Sequence, residues 1–279
     1  MKKLRRNLVA IVLCAIMFTV IGGIYLYEKN RQRFDNAVYQ QVIPEFEKQQ
    51  QELQRQKEEL IARREQAREN YNAAAQAYLP GIAFFGDSLV SDTNGGGMDF
   101  RSTISSLVRS NVCTTTTAYI NTSAKVDYSS VESFLPVIFM GDNNTPLGDT
   151  DALLSKQAQY IGDHDRYIVV GPTTGTREGM AYFEYVMTQA YGDKFVNIRE
   201  YMSTNGLASL ELEITNDDKA AMNQGRIPPS FLKSDGIHLN DNGTRLLSYL
   251  TFERMTDLGY FEEIIEAKQL YSEAEEEAR

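Results

Sequence analysis

The sequence predicts an α/β fold, in which a parallel β-sheet lies between two layers of helices. Short apolar runs of strand length recur between residues 79 and 263, and segments with helical spacing separate them. Alternating strands and helices form parallel sheets, because each crossover between parallel strands needs a long connection. The chain is 42% hydrophobic and 24% charged, as is typical of globular proteins. Two further segments precede this domain, one apolar and one highly charged.

The first segment is an apolar run behind a basic N-terminus. Residues 1–6 carry four basic side chains, and residues 7–27 carry no charge. From Leu8 to Tyr27 the run would measure about 30 Å as a helix, which is enough to span a bilayer. A cleavable signal peptide is the alternative, but the run is longer than a usual signal core and no A-x-A site follows it. We therefore predict a transmembrane signal anchor at 7–27, with 1–6 in the cytoplasm and everything after Tyr27 outside.

The second segment, residues 28–78, is predicted to be a helical stalk. It carries nine basic and nine acidic side chains. Pro44 suits the first position of a helix, which would begin near Glu45 and end before Leu79-Pro80. One apolar position recurs in each heptad, at Phe46, Leu53, Leu60, Ala67 and Ala74. Because the companion position is mostly polar, the pattern predicts a weak coiled coil. A solvated spacer is favoured over a stable dimer, and a weak homodimer remains an alternative.

The domain at 79–263 contains five predicted strands and several predicted helices. The strands lie at 82–85, 117–120, 137–140, 167–170 and 195–198. Helical spacing places Phe100, Ile104 and Leu107 on one face of a helix. In another helix it groups Tyr182, Tyr185, Val186 and Ala190, and Gly192 follows as a C-terminal cap. Residues 264–279 are predicted to form a helix that frays into a solvated acidic tail.

Polar residues follow three of these elements in a suggestive pattern. Gly86-Asp87-Ser88 comes directly after the first strand, and Gly141-Asp142-Asn143-Asn144 comes after the third. Near the end of the domain, Asp235 and His238 form an Asp-x-x-His pair. Ligands of open α/β sheets bind at the carboxyl ends of the strands. A serine, an amide side chain and a histidine with a carboxylate are the groups that acyl transfer requires.

Each of these residues also has a plainer structural interpretation. Ser88 suits a helix N-cap, Asn143 and Asp235 suit turns, and His238 could be a buried structural histidine. The other histidine of the chain, His164, lies in Asp163-His164-Asp165. Adjacent side chains rarely converge on one ion, so we interpret this segment as a solvated loop and expect no metal site.

Taken together, the polar blocks resemble those of the SGNH, or GDSL-type, hydrolase family. "FFGDSLV" is similar to the first block, "FMGDNN" to the third and "SDGIHLNDNG" to the last, in the family's order over most of residues 80–255. The resemblance implies a flavodoxin-like three-layer fold, with Ser88 as nucleophile, His238 as base and Asp235 as its orienting carboxylate.

The resemblance also implies an oxyanion hole, formed by the Ser88 N–H, the Asn143 amide and a backbone N–H of the second block. The matching stretch here, "YINTSAKVDYSS", lacks the glycine that the family has in this block. Any residue except proline has an N–H to offer, so Ser123 or Ala124 is expected to replace that glycine.

These features predict an extracytoplasmic, membrane-anchored serine esterase that needs no cofactor. The resemblance implies a small acyl group, such as acetyl, on a glycan or cell-envelope polymer. An O-acyltransferase with the same triad remains an alternative, as does a non-catalytic stalked scaffold, which the missing glycine would favour. Residues 79–279 hold 15 basic and 29 acidic side chains, which argues against a nucleic-acid partner. Two cysteines, Cys14 and Cys113, provide no disulfide framework.

Overall fold

The computed structural model describes residues 12–21, 23, 36–90, 98–123, 125–140 and 149–279, without the side chains of 36–43. The chain separates into two compact units, one up to Arg63 and one from Arg64 to Glu277. The anchor predicted at 7–27 and the start of the predicted stalk lie partly outside the described residues. None of the helices in the described ranges is both long enough and apolar enough to cross a membrane.

Nine α-helices and five strands make up the part of the chain that the structure describes from residue 36 onward. The helices are α1 (Asn36–Tyr78), α2 (Phe100–Asn111), α3 (Thr150–Ile161), α4 (Arg177–Tyr191), α5 (Ile198–Tyr201), α6 (Leu207–Ser209), α7 (Asn216–Asn223), α8 (Asp241–Asp257) and α9 (Glu262–Glu277). A π-helical turn, Met202–Gly206, joins α5 to α6. The strands are β1 (Gly81–Gly86), β2 (Thr116–Asn121), β3 (Leu135–Phe139), β4 (Ile168–Val170) and β5 (Phe195–Val196).

The strands form one parallel sheet in the order β2-β1-β3-β4-β5. The predicted α/β class is therefore confirmed, and each of the five predicted strands is present. The last of them is shorter than expected. It ends at Val196 because the Asn197 side chain accepts the Glu200 N–H and starts α5 there. An N-cap of this kind satisfies a helix N–H that would otherwise lack a partner.

Side chains of the central strands alternate between two separate hydrophobic cores. Ile82 and Phe84 of β1 lie in one core, which also holds the buried faces of α2, α8 and α9. Ala83 and Phe85 lie in the other core, with the buried faces of α3 and α4. Strands buried on both faces are uniformly apolar because helices cover the sheet on each side. This arrangement explains the continuous apolar run before Gly86.

Two predicted helix faces differ from those in the structure. In α2 the buried residues are Phe100, Ile104 and Val108, so the third position is Val108 rather than Leu107. The difference in α4 is larger, because Tyr182 and Tyr185 are 73% and 62% exposed. The buried side chains of α4 are Met180, Phe183 and Met187. Apolar residues occur all round this helix, and the wholly apolar side chains are buried whereas tyrosine keeps its hydroxyl in water.

Helix α1 begins earlier than predicted, at Asn36, and Pro44 lies inside it. It ends at Tyr78, as the following Leu79-Pro80 predicts. Its last turns, from Arg64 onward, belong to the second unit and pack within it, although residues up to 78 were expected to be stalk. The Tyr71 ring stacks on Tyr271 of α9 with 6.1 Å between centroids, and its hydroxyl donates to the Val112 carbonyl at 3.1 Å.

The C-terminal segment is helical, as predicted, but the helix does not fray into a solvated tail over residues 264–279. It belongs to α9, which runs from Glu262 to Glu277. Ile264 and Ala274 are buried, and Ile264 lies in the same core as β1 and α8. The acidic residues that suggested a tail therefore belong to a helix with one packed face.

Candidate active site

Ser88 lies in a tight turn at the carboxyl end of β1. The turn is held around Asp87, whose side chain accepts the Leu89 N–H at 3.0 Å and whose carbonyl accepts the Val90 N–H at 3.1 Å. The hydroxyl of Tyr119 on β2 also donates to the Asp87 carbonyl, at 3.1 Å. Asp87 is buried, whereas Ser88 is partly exposed at this edge of the sheet. The turn therefore exposes the Ser88 hydroxyl, while Asp87 below it stays packed in the protein.

Gly86 is required for this turn by the close approach of its neighbours. A Cβ atom at this position would lie 2.4 Å from the Phe139 carbonyl oxygen and 2.4 Å from a Val90 methyl group. Such distances are far below van der Waals contact, so a side chain here would push β1 away from β3 or open the Ser88 turn. The glycine of "GDS" thus has a steric reason in this structure.

The structure brings Ser88, His238 and Asp235 into one hydrogen-bonded chain. Ser88 Oγ lies 2.9 Å from His238 Nε2, and His238 Nδ1 lies 2.8 Å from Asp235 Oδ2. With the imidazole proton on Nδ1, His238 donates to the carboxylate and accepts from the serine hydroxyl. This is the geometry of a nucleophile, a general base and an orienting carboxylate.

Asp235 is held in its charged form by its own loop. One carboxylate oxygen accepts the Ile237 N–H at 2.9 Å and the His238 N–H at 3.0 Å, and the other faces the imidazole. These hydrogen bonds lower the pKa of Asp235 to about 2, and those from the backbone have the largest effect. The Asp-x-x-His spacing therefore forms a local turn that orients the ring.

Lys233 to His238 form a closed loop, here called the triad loop. The Lys233 N–H donates to the His238 carbonyl at 2.7 Å, and the Gly236 N–H donates to the Lys233 carbonyl at 3.0 Å. Gly236 has φ of 70°, a left-handed conformation that favours glycine. An antiparallel bridge between Leu232 and Leu239 closes the base of the loop. The position of His238 is therefore set by backbone hydrogen bonds at both ends of the loop.

The entry to the triad loop is anchored by Asp218, a residue that sequence reasoning missed. Its fully buried carboxylate accepts from the backbone N–H and the hydroxyl of both Thr215 and Ser230, at 2.7–3.0 Å. Burial acts to raise the pKa of Asp218, but these hydrogen bonds outweigh it and the pKa is lowered. The Asn240 side chain donates to the Ser230 carbonyl at 2.9 Å from the opposite side.

A sequence signal exists for only one part of this anchor. Thr215-x-x-Asp218 has the spacing of a capping box, and the structure contains that box at the start of α7. The pattern predicts a helix N-terminus, but it contains no information about Ser230, which lies 12 residues further along the chain.

The two other predicted oxyanion residues, Asn143 and Ala124, lie outside the described residues. The neighbours of Ala124 in the second block are described. The Ser123 N–H donates to the Asn121 side chain at 2.9 Å, and the Thr122 N–H donates to the Gly86 carbonyl at 2.8 Å. The Ser123 N–H is thus already engaged.

The arrangement is suited to nucleophilic attack by Ser88 on an acyl carbon, with His238 moving the proton. Within the described ranges, no group of three or more His, Cys, Asp and Glu side chains is placed to hold a metal ion. Comparisons of the chain with protein-family models, with curated proteins and with solved structures found no match.

Proposed function

We propose that this chain is a membrane-anchored, extracytoplasmic serine esterase of the SGNH, or GDSL-type, hydrolase family. Its proposed substrate carries a small acyl group, such as acetyl, on a glycan or cell-envelope polymer. The observation that carries the proposal is the chain of hydrogen bonds from Ser88 through His238 to Asp235, at 2.9 and 2.8 Å. A histidine within reach of the serine, itself oriented by a carboxylate, is the arrangement that activates serine nucleophiles.

The topology gives independent support. The strand order β2-β1-β3-β4-β5 is that of flavodoxin-like doubly wound folds. The connection that follows β1 runs toward one edge of the sheet, and the connection that follows β3 runs toward the other edge. A crevice therefore opens between the carboxyl ends of these two strands. Ser88 follows β1 directly, so the proposed nucleophile stands at the place where such folds bind ligands.

In the proposed reaction, His238 takes the hydroxyl proton of Ser88 as Oγ attacks the ester carbonyl. The carbonyl oxygen becomes an oxyanion, which the Ser88 N–H, the Asn143 amide and the Ala124 N–H are proposed to bind. In related enzymes, removal of one such donor costs about 2.7–4 kcal/mol of transition-state stabilisation. His238 then gives its proton to the leaving alcohol. In the second half of the reaction, water attacks the acyl carbon while His238 accepts the water proton. His238 returns this proton to Ser88 Oγ as the carboxylic acid leaves.

Ester hydrolysis by the full-length protein tests the proposal. We expect the wild type to release p-nitrophenol from p-nitrophenyl acetate, and Ser88→Ala to show only the background rate. Ser106→Ala is the matched control, because Ser106 is an exposed serine on α2, and it should match the wild type. Background rates for all three proteins would refute the esterase and favour the non-catalytic scaffold.

A further inference from the structure

A groove lies beside the triad loop, on the side of α7. Its volume is about 500 Å³. Its lining includes Asp217 of α7, Arg226, Ile227 and Leu232, and Lys233 and Ser234 of the triad loop. We call it the α7 groove.

The α7 groove is adjacent to the reacting groups on the side of the proposed base. Lys233 lines both this groove and the small pocket that contains Ser88 and His238. In acyl transfer through a triad, the histidine returns its proton to the leaving oxygen, so the leaving alcohol lies next to the imidazole. A groove that begins at the triad loop is therefore placed to hold the alcohol part of an ester.

Buried charged residues hold the backbone next to two lining residues of the groove, Arg226 and Pro229. The guanidinium of Arg199 is 2% exposed, pairs with Glu184 and donates to the Gly225 carbonyl. Asp218 holds Ser230, next to Pro229. Burying a charge is costly unless its hydrogen bonds are satisfied, and here those bonds fix the turn and the loop that border the groove. A pre-formed site of this kind loses little entropy when a ligand binds.

The charge at the groove is opposite to that of the domain. Residues 79–279 contain 29 acidic and 15 basic side chains, yet Arg226 and Lys233 line the groove with Asp217 as the one acidic lining residue among those described. Arg177 packs against Gly225, which directly precedes Arg226 in the chain. Within the described part of the chain, neither Arg177 nor Arg226 forms an ion pair with a carboxylate. These two guanidinium groups are therefore available to a ligand.

We infer that the α7 groove binds the alcohol part of the substrate, and that this part is an anionic, hydroxyl-rich polymer. Carboxylate or phosphate groups of the polymer pair with Arg226 and Arg177, since guanidinium binds both anions well. This inference rests on the proposed esterase function and names its substrate class. The Ser88 Oγ–acyl bond forms, the acyl–oxygen bond to the polymer breaks, and the serine proton passes through His238 to the freed polymer hydroxyl.

Binding to the inactive full-length variant Ser88→Ala tests the inference without turnover. The probes are oligogalacturonate, which carries carboxylates, an oligomer of glycerol phosphate, and a neutral xylo-oligosaccharide. We expect one or both anionic oligomers to bind more tightly than the neutral one, with affinity that falls as salt screens the charges. The tighter of the two anions identifies the charged group that the groove recognises.

Adding Arg226→Glu should weaken the anionic oligomer about tenfold or more, because it replaces an attraction by a repulsion. Arg226→Lys keeps the charge and should retain most of the affinity. Arg109→Glu is the control, since Arg109 is exposed in the last turn of α2, away from the groove. Equal loss with Arg109→Glu, equal affinity for the neutral oligosaccharide, or no binding of either anionic oligomer would overturn the inference. Lack of turnover by the wild type would instead refute the esterase and leave these affinities unaffected.

Discussion

Within the triad, the Asp–His contact is local in the chain, whereas the Ser–His contact joins distant parts of it. Asp235 and His238 are three residues apart, and the turn between them forms the hydrogen bonds that hold the carboxylate. Ser88 reaches His238 across 150 positions of the chain. The Asp–His pair is therefore encoded locally, whereas the Ser–His contact requires the whole sheet and the anchored triad loop.

The local hydrogen bonds predict how hydrolysis depends on pH. The pKa of Asp235 is lowered to about 2, so the carboxylate stays ionised and keeps its hold on His238 well above that pH. The orienting carboxylate therefore does not limit the rate, and a general base acts only in its unprotonated form. We expect log(kcat/KM) to decrease with a slope of one toward acid, measured between about pH 5 and 8.

Asp235→Asn should lower kcat by up to about 10⁴, because the amide no longer stabilises the imidazolium or selects its tautomer.

A flat pH profile would contradict the role of His238. A slope of two would mean that a second group, such as a carboxylate with a higher pKa than that of Asp235, also controls the rate.

At the level of elements, the strands were easier to predict than the faces of the helices. Each of the five predicted runs is a strand. Four of them are buried along their whole length, as continuous apolar runs predict, and β2 is a partly exposed strand at the edge of the sheet. In α4 the pattern contained apolar residues on both sides, and the face with Tyr182 and Tyr185 proved to be the exposed one. Which face is buried depends on the surface that the helix meets, and the sequence does not contain that surface.

Helix α9 provides a direct test of this packing. Ile264 is fully buried and Ile265 is 41% exposed, although they are adjacent in sequence. We expect Ile264→Ala to lower the free energy of unfolding by about 2–5 kcal/mol through loss of burial and a residual cavity. The matched change Ile265→Ala should have an effect within about 0.5 kcal/mol.

Urea unfolding of the full-length protein in mild detergent, followed by circular dichroism, measures both variants. Equally small effects at the two positions would mean that residues 264–279 are a solvated tail, as the acidic composition alone suggested.

For the whole molecule, the proposed location rests on the N-terminal sequence. The uncharged run at 7–27 follows four basic residues, and a run of this length and composition is typical of a bilayer-spanning signal anchor. We expect the full-length protein to be recovered in the membrane fraction and to resist extraction by high salt or alkaline carbonate. A variant that lacks residues 1–27 should be recovered in the soluble fraction. Recovery of the full-length protein in the soluble fraction would contradict the anchor.

The sequence by itself determined the features that depend on neighbouring residues. These are the strand runs, the GDS turn that follows β1, the Asp-x-x-His turn and the end of α1 before Leu79-Pro80. Short-range sterics and hydrogen bonds produce them, so a few consecutive residues suffice.

The tertiary structure decided which of these local features meet. It placed the triad loop over Ser88, buried Asp218 against Ser230, selected the buried faces of α4 and α9, and placed Arg226 beside Lys233 in a groove of an acidic domain. These contacts join residues that are far apart in the chain or on different elements. Their free energy depends on the packing of the whole sheet and its helices, and no local pattern of residues specifies that packing.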